Sequence, residues 1–134
     1  MPETRHHILF VEDTSDTREL VEWTLEREGF VVTSAETADD GLSLARKHSY
    51  ALILLDIGLP DKDGMELCRE IRAFDQQTPI LFYTAFADLL NEEEAQKAGA
   101  QGCLRKPDDT PRIGKIARGL IEGHANSPRI DADS

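Results

Sequence analysis

The chain is poor in cysteine, in positive charge and in long apolar runs, and each shortage excludes something. Its two cysteines, Cys68 and Cys103, form neither a disulfide framework nor a zinc-ligand spacing, so the reducing cytoplasm is the expected location. No apolar stretch approaches the ~20 residues of a membrane-spanning helix. Residues 1–7 are too polar for a signal peptide, and no membrane association is expected. Fifteen Lys and Arg face 26 Asp and Glu, for a net charge of −11. That balance argues against binding a nucleic-acid phosphate backbone. No repeat and no linker-like stretch divides the 134 residues, which suffice for a single core. Residues 1–124 read as one domain, and 125–134, polar and interrupted by Pro128, as a loose tail.

What is present is a set of short apolar runs that end in reactive side chains. The central one, Ala51-Leu52-Ile53-Leu54-Leu55, closes on Asp56 and is followed by Gly58, Pro60, Asp63 and Gly64. A continuous apolar run of this length between turn formers reads as a strand buried on both faces. Ile8-Leu9-Phe10-Val11 is a second, ending in Glu12-Asp13. Residues 30–34, 80–84 and 102–105 are three more, the fourth in chain order closing on Thr84 and the fifth followed by Lys106-Pro107. Between them, helical patterning covers 14–28, 37–48, 64–74 and 88–98, and resumes from Asp109 or Thr110 to near Gly123. Gly29 and Gly99 are placed as C-terminal caps, Asp88 as an N-cap, and Pro111 in the first turn of the last helix. On the first helix Leu20, Val21, Thr24 and Leu25 form the expected buried stripe, with Trp23 at its edge as boundary core or as a partner contact. Cys68 reads as a small core residue.

Five strands alternating with five helices predict an α/β domain of three layers, a doubly wound parallel sheet with helices on both faces. In such a sheet every strand's carboxyl end lies on one side, where open α/β sheets place their sites. Glu12, Asp13, Asp56, Thr84 and Lys106 therefore converge on one edge. Three carboxylates there repel one another, each pair at ~4 Å costing about 4 kcal/mol at an effective dielectric near 20. A hard cation with oxygen ligands, Mg2+, relieves that repulsion. Lys106 adds a fixed positive charge and Thr84 a hydroxyl. A metal, a lysine and a hydroxyl around a free carboxylate meet the needs of a phosphoryl group in transfer. Asp56 is then the nucleophile, giving an aspartyl phosphate.

Through Val11-Glu12-Asp13, Leu55-Asp56, Leu59-Pro60-Asp61-Lys62-Asp63-Gly64, Thr84-Ala85 and Lys106-Pro107, in that order and spacing, the chain resembles the receiver domains of two-component response regulators over residues 8–122. The resemblance implies the flavodoxin-like receiver fold with strand order 2-1-3-4-5. It implies that Asp56 takes its phosphoryl group from a phosphohistidine on a sensor histidine kinase or a histidine phosphotransfer protein. Asp13, Asp56 and the main-chain carbonyl of Gly58 would hold Mg2+ (or Mn2+), with Glu12 acting through water. Lys106 would pair with one phosphoryl oxygen, Thr84 would swing in to another, and the main chain of Ala85 would touch the group. The Lys106-Pro107 bond is expected to be cis. The same resemblance implies a stand-alone signalling domain rather than an enzyme, acting on a downstream protein by conformational change. It is expected to be a monomer or a weak phosphorylation-dependent dimer. The acids Glu92, Glu93 and Glu94 opposite Arg112, Lys115 and Arg118 are the candidate patch.

Three positions depart from the family's pattern. Cys103 stands where an aromatic usually reorients on activation, so the switch is expected to pass from Thr84 to Phe86 in the next loop. Asp108 stands where a Phe is common, and Gly58 offers only backbone two residues past the acceptor. Other readings are a phosphorelay shuttle and a receiver cut from a longer regulator. A metal-dependent phosphatase with an Asp nucleophile would need a second Asp at the position of Gly58. A flavin-binding module would need a phosphate-cradling first loop where two acids precede Thr14 and Ser15.

Overall fold

The computed structural model describes residues 5–85 and 92–126. Its elements are β1 (His7–Val11), α1 (Ser15–Arg27), β2 (Val31–Ala35), α2 (Ala38–Lys47), β3 (Leu52–Leu55), α3 (Gly64–Arg72), β4 (Ile80–Thr84), α4 (Glu92–Ala98), β5 (Gly102–Arg105) and α5 (Ile113–Asn126). The strands form one parallel sheet, as the alternating pattern predicts, in the order β2-β1-β3-β4-β5 that the resemblance implies. No helix among the described residues is long and apolar enough to cross a membrane.

Successive residues of a strand point to opposite faces, so continuous apolar strands build two cores. Leu9, Val11, Ile53, Leu55, Ile80 and Phe82 face α2, α3 and α4. Ile8, Phe10, Leu52, Leu54, Leu81 and Tyr83 face α1 and α5. The central strands are buried throughout, leaving only their ends free to carry polar chemistry. Cys68 is buried on α3, and burial pushes its thiol up to about 11, as befits a core residue.

Differences from the sequence-based expectations have local causes. Phe30 stays outside β2 because its N–H returns to the carbonyl of Leu25 at the end of α1, while Val31 N–H opens the ladder on His6. Gly29 between them has φ +95°, the left-handed turn that glycine adopts most readily. A 3-10 turn, Thr110–Arg112, containing Pro111 precedes α5, and α5 runs on to Asn126, past the expected end near Gly123. Asp88, Phe86 and residues 127–134 lie outside the described residues.

The largest correction falls on α1. Val21 and Leu25, one turn apart, are its buried residues, but Leu20 is 49% exposed and Trp23 56% exposed. Residues three and four apart share a helix face, so Leu20, Trp23, Thr24 and Arg27 form a second stripe, turned away from the sheet. The Arg27 guanidinium lies 4.7 Å over the Trp23 ring.

Candidate phosphoryl-transfer site

The sheet's carboxyl edge assembles the predicted residues. Val11 ends β1 with Glu12 and Asp13 beyond it, Leu55 ends β3 before Asp56, Thr84 ends β4, and Lys106 follows β5. Ladder bonds continue past the strands and fix the main chain here. Glu12 N–H donates to Ala35, Asp56 N–H to Val11 and Lys106 N–H to Thr84. The Lys106-Pro107 peptide is cis.

Glu12 and Asp56 are buried and Asp13 is exposed at the rim. One oxygen from each of the three lies within 4.8 Å of the others. The Lys106 ammonium donates to Glu12 Oε1 at 2.5 Å and to Asp56 Oδ2 at 3.2 Å. The other Glu12 oxygen accepts the Thr14 N–H at 3.1 Å, and Asp56 Oδ1 accepts the Gly58 N–H at 3.3 Å. Burial raises the Glu12 carboxyl above the ordinary carboxylate range, and the nearby charge of Asp56 adds to the rise against the pull of Lys106. Burial would lower the Lys106 ammonium, but Glu12 and Asp56 outweigh it and hold the proton on more firmly than usual. One ammonium thus stands among three carboxylates. The remaining negative charge and the all-oxygen donor set suit a hard divalent cation.

The loop after β3 is shaped to keep Asp56 in place. A Cβ on Gly64 would lie 2.1 Å from the Asp56 carbonyl oxygen, so only glycine allows the opening of α3 this close to the strand. Gly58 and Asp63 form an antiparallel bridge across the loop, and Asp63 caps α3 through the Met65 N–H at 2.8 Å.

Thr84 is buried, Ala85 is exposed beside it, and Cys103 is half-buried on β5, paired in register with Phe82. Burial raises the Cys103 thiol. Two of the three cations expected to form a dimer patch are engaged within the chain. Arg112 pairs with Asp109, while Arg118 turns to the Glu28 carbonyl with its guanidinium 4.9 Å over Phe30.

Sequence reasoning missed two residues beside the site. Tyr83 lies beneath Lys106, 5.3 Å from the ring centroid to Nζ; in the sequence it is only a β-former. Arg18 donates to the Glu12 carbonyl at 2.8 Å and pairs with Glu36 at 3.2 Å; nothing in its helical context sets it apart.

Residues 8–118 match the response regulator receiver domain. The chain is 37% identical over 125 residues to the transcriptional regulatory protein CseB of Streptomyces avermitilis, covering 91% of this chain and 52% of that protein. It therefore spans about half the length of this curated relative. Its fold superposes on a CheY-like response regulator receiver domain protein from Methanospirillum hungatei with a TM-score of 0.85 at 27% identity, covering 91% and 98% of the two chains. It also matches the receiver domain of a sensor histidine kinase from Pseudomonas aeruginosa PAO1, described with a magnesium ion coordinated in the active site cleft. That match has a TM-score of 0.81 at 30% identity and covers 89% and 99% of the two chains.

The chain belongs to the response regulator receiver domain family. It is a receiver of the two-component signalling systems, with three carboxylates gathered at its sheet edge.

Proposed function

We propose that Asp56 is the phosphoacceptor and that Glu12, Asp13 and Asp56 hold Mg2+ beside it. The observation that carries this reading is the Lys106 ammonium held between Glu12 and Asp56 inside a cluster of three carboxylates. An Asp56 oxygen forms a bond to phosphorus as the phosphorus–nitrogen bond of a donor phosphohistidine breaks, and the electron pair of that bond stays on the imidazole. Lys106 offsets the charge of a phosphoryl oxygen, and the Thr84 hydroxyl and the Ala85 main chain meet the remaining oxygens. Gly58 would offer its main-chain carbonyl to the metal. The bound Mg2+ would supply charge neutralisation to both the carboxylates and the phosphoryl group.

The donor is a sensor histidine kinase or a histidine phosphotransfer protein, and the acceptor acts in the cytoplasm. A second surface supports a protein donor. The exposed stripe of Leu20 and Trp23 lines a groove of about 550 Å³ with Pro107 and Pro111, immediately beyond Lys106. A partner seated there rests against the segment that follows Lys106. The output is conformational and is read by a downstream protein. Since the curated relative is about twice as long, a receiver joined to an output domain is the second reading, beside the stand-alone one.

Incubation with acetyl phosphate and Mg2+ tests the assignment. One phosphate per chain is expected, and Asp56→Asn should abolish it. Undiminished labelling of that variant overturns the reading.

A further inference from the structure

Beside the Lys106 ammonium lies an aromatic ring, Tyr83, that the site chemistry leaves unassigned. Tyr83 precedes Thr84 on β4 and points to the opposite face of the sheet, where it is among the largest fully buried side chains. Its ring packs against Phe10, with centroids 6.2 Å apart. The face of the ring lies 5.3 Å from the Lys106 ammonium. Its hydroxyl is hydrogen-bonded to the buried Thr110 hydroxyl, which opens the 3-10 turn three residues beyond Pro107. A hydroxyl in an apolar cluster is costly to bury unpaired, so this contact ties β4 to the connection that carries Lys106.

The geometry points to Tyr83 as a positioning residue for Lys106, acting at both ends of the lysine. The ring face confines the ammonium from below while Glu12 and Asp56 hold it through hydrogen bonds. The hydroxyl, through Thr110, anchors the main chain between β5 and α5 from which the lysine extends. A flexible lysine pinned from one side alone samples several rotamers. Packed on an aromatic face, it keeps its charge over the acceptor, where an incoming phosphoryl oxygen needs it. Thr110 also lines the groove beside Leu20 and Trp23, so a donor docked there presses on the same connection.

This inference rests on the proposed role of Asp56, and its test separates the two. The direct measurement is the proton spectrum of wild-type Lys106, whose ε-methylene protons should be shifted upfield by the Tyr83 ring current. The shift should persist in Tyr83→Phe and vanish in Tyr83→Leu. Labelling by acetyl phosphate should slow about tenfold in Tyr83→Leu, the scale of a partly buried cation–aromatic contact. It should slow less in Tyr83→Phe, which loses only the hydroxyl tie. In a Lys106→Ala background Tyr83→Leu should cause no further slowing, an outcome a merely structural role would not give. An unshifted Lys106 methylene in the wild type overturns the inference, as does equal further slowing in both backgrounds. Neither result bears on Asp56, whose assignment fails only if Asp56→Asn still labels.

Discussion

The carboxylate of Asp61, in the loop after β3, accepts the N–H of Ala38, the first residue of α2, at 2.8 Å. Its second oxygen accepts the Asp39 N–H at 2.9 Å. The N-cap residue itself, Thr37, takes the Asp40 N–H at 3.1 Å. The free N–H groups at a helix start need such acceptors, and here two of them come from another part of the chain. The loop between Asp56 and α3 is thereby fastened to α2. What little burial Asp61 has would raise its carboxyl, but the Ala38 and Asp39 N–H groups outweigh it and hold it below the ordinary range. Asp61→Ala should destabilise the protein by about 1 kcal/mol, the usual cost of losing a cap. Asp61→Asn should cost less, since its amide oxygen still accepts one N–H. Denaturant midpoints check this, and equal midpoints for wild type and Asp61→Ala would remove the cross-loop cap from the account.

Charge crowding at the sheet edge makes a prediction of opposite signs in two buffers. Asp13 adds a third negative charge that Lys106 does not touch in the structure. Asp13→Ala should therefore raise the melting temperature in chelator and weaken the stabilisation that Mg2+ confers. Asp13 is exposed, so solvent screening limits the gain to roughly 0.5 kcal/mol. A variant that melts earlier than wild type in chelator would show that repulsion is not the main cost at this edge.

The outward stripe of α1 separates a docking role from a folding one. Trp23 is 56% exposed and Leu20 49% exposed, so Trp23→Ala should leave stability within about 0.5 kcal/mol of wild type. Transfer from a cognate phosphohistidine protein should fall about tenfold or more, as for an aromatic interface anchor. Labelling by acetyl phosphate should be unchanged. Equal loss with both donors would place the effect in the site rather than at a docking surface.

Acid should weaken the turn after α3. Asp75 accepts the N–H groups of Gln77 at 3.0 Å and Thr78 at 3.1 Å and the Thr78 hydroxyl at 2.6 Å. Burial alone would raise this carboxyl, but the bonds from Thr78 and Gln77 win and hold it below its usual value. A carboxyl depressed in the folded state stabilises fully above its unfolded value, near 4. That stabilisation fades as pH falls through the folded value. The stability gap between wild type and Asp75→Asn should be wider at pH 6 than at pH 3. A gap independent of pH would mean that Asp75 binds its partners equally well when protonated.

Much of the site was legible in the sequence because its chemistry sits at strand ends. An apolar run that stops on Asp56, and another that stops before Glu12-Asp13, place those carboxylates at one edge once the alternation dictates a parallel sheet. The cis bond before Pro107 is the one the family resemblance implies. Tertiary packing decided the rest. Val21 and Leu20 are neighbours of equal apolarity, and only the rotation of α1 against the sheet buries the first and exposes the second. Tyr83 came beneath Lys106 because β4 and β5 are adjacent, with Thr84 paired to Arg105. Arg118 turned to Glu28 because α1 and α5 share one face of the sheet. Residue identity and spacing specify which groups lie at a strand's end or on a helix's turn; which neighbour each then meets depends on helix rotation and strand adjacency, set by the packing of the whole core.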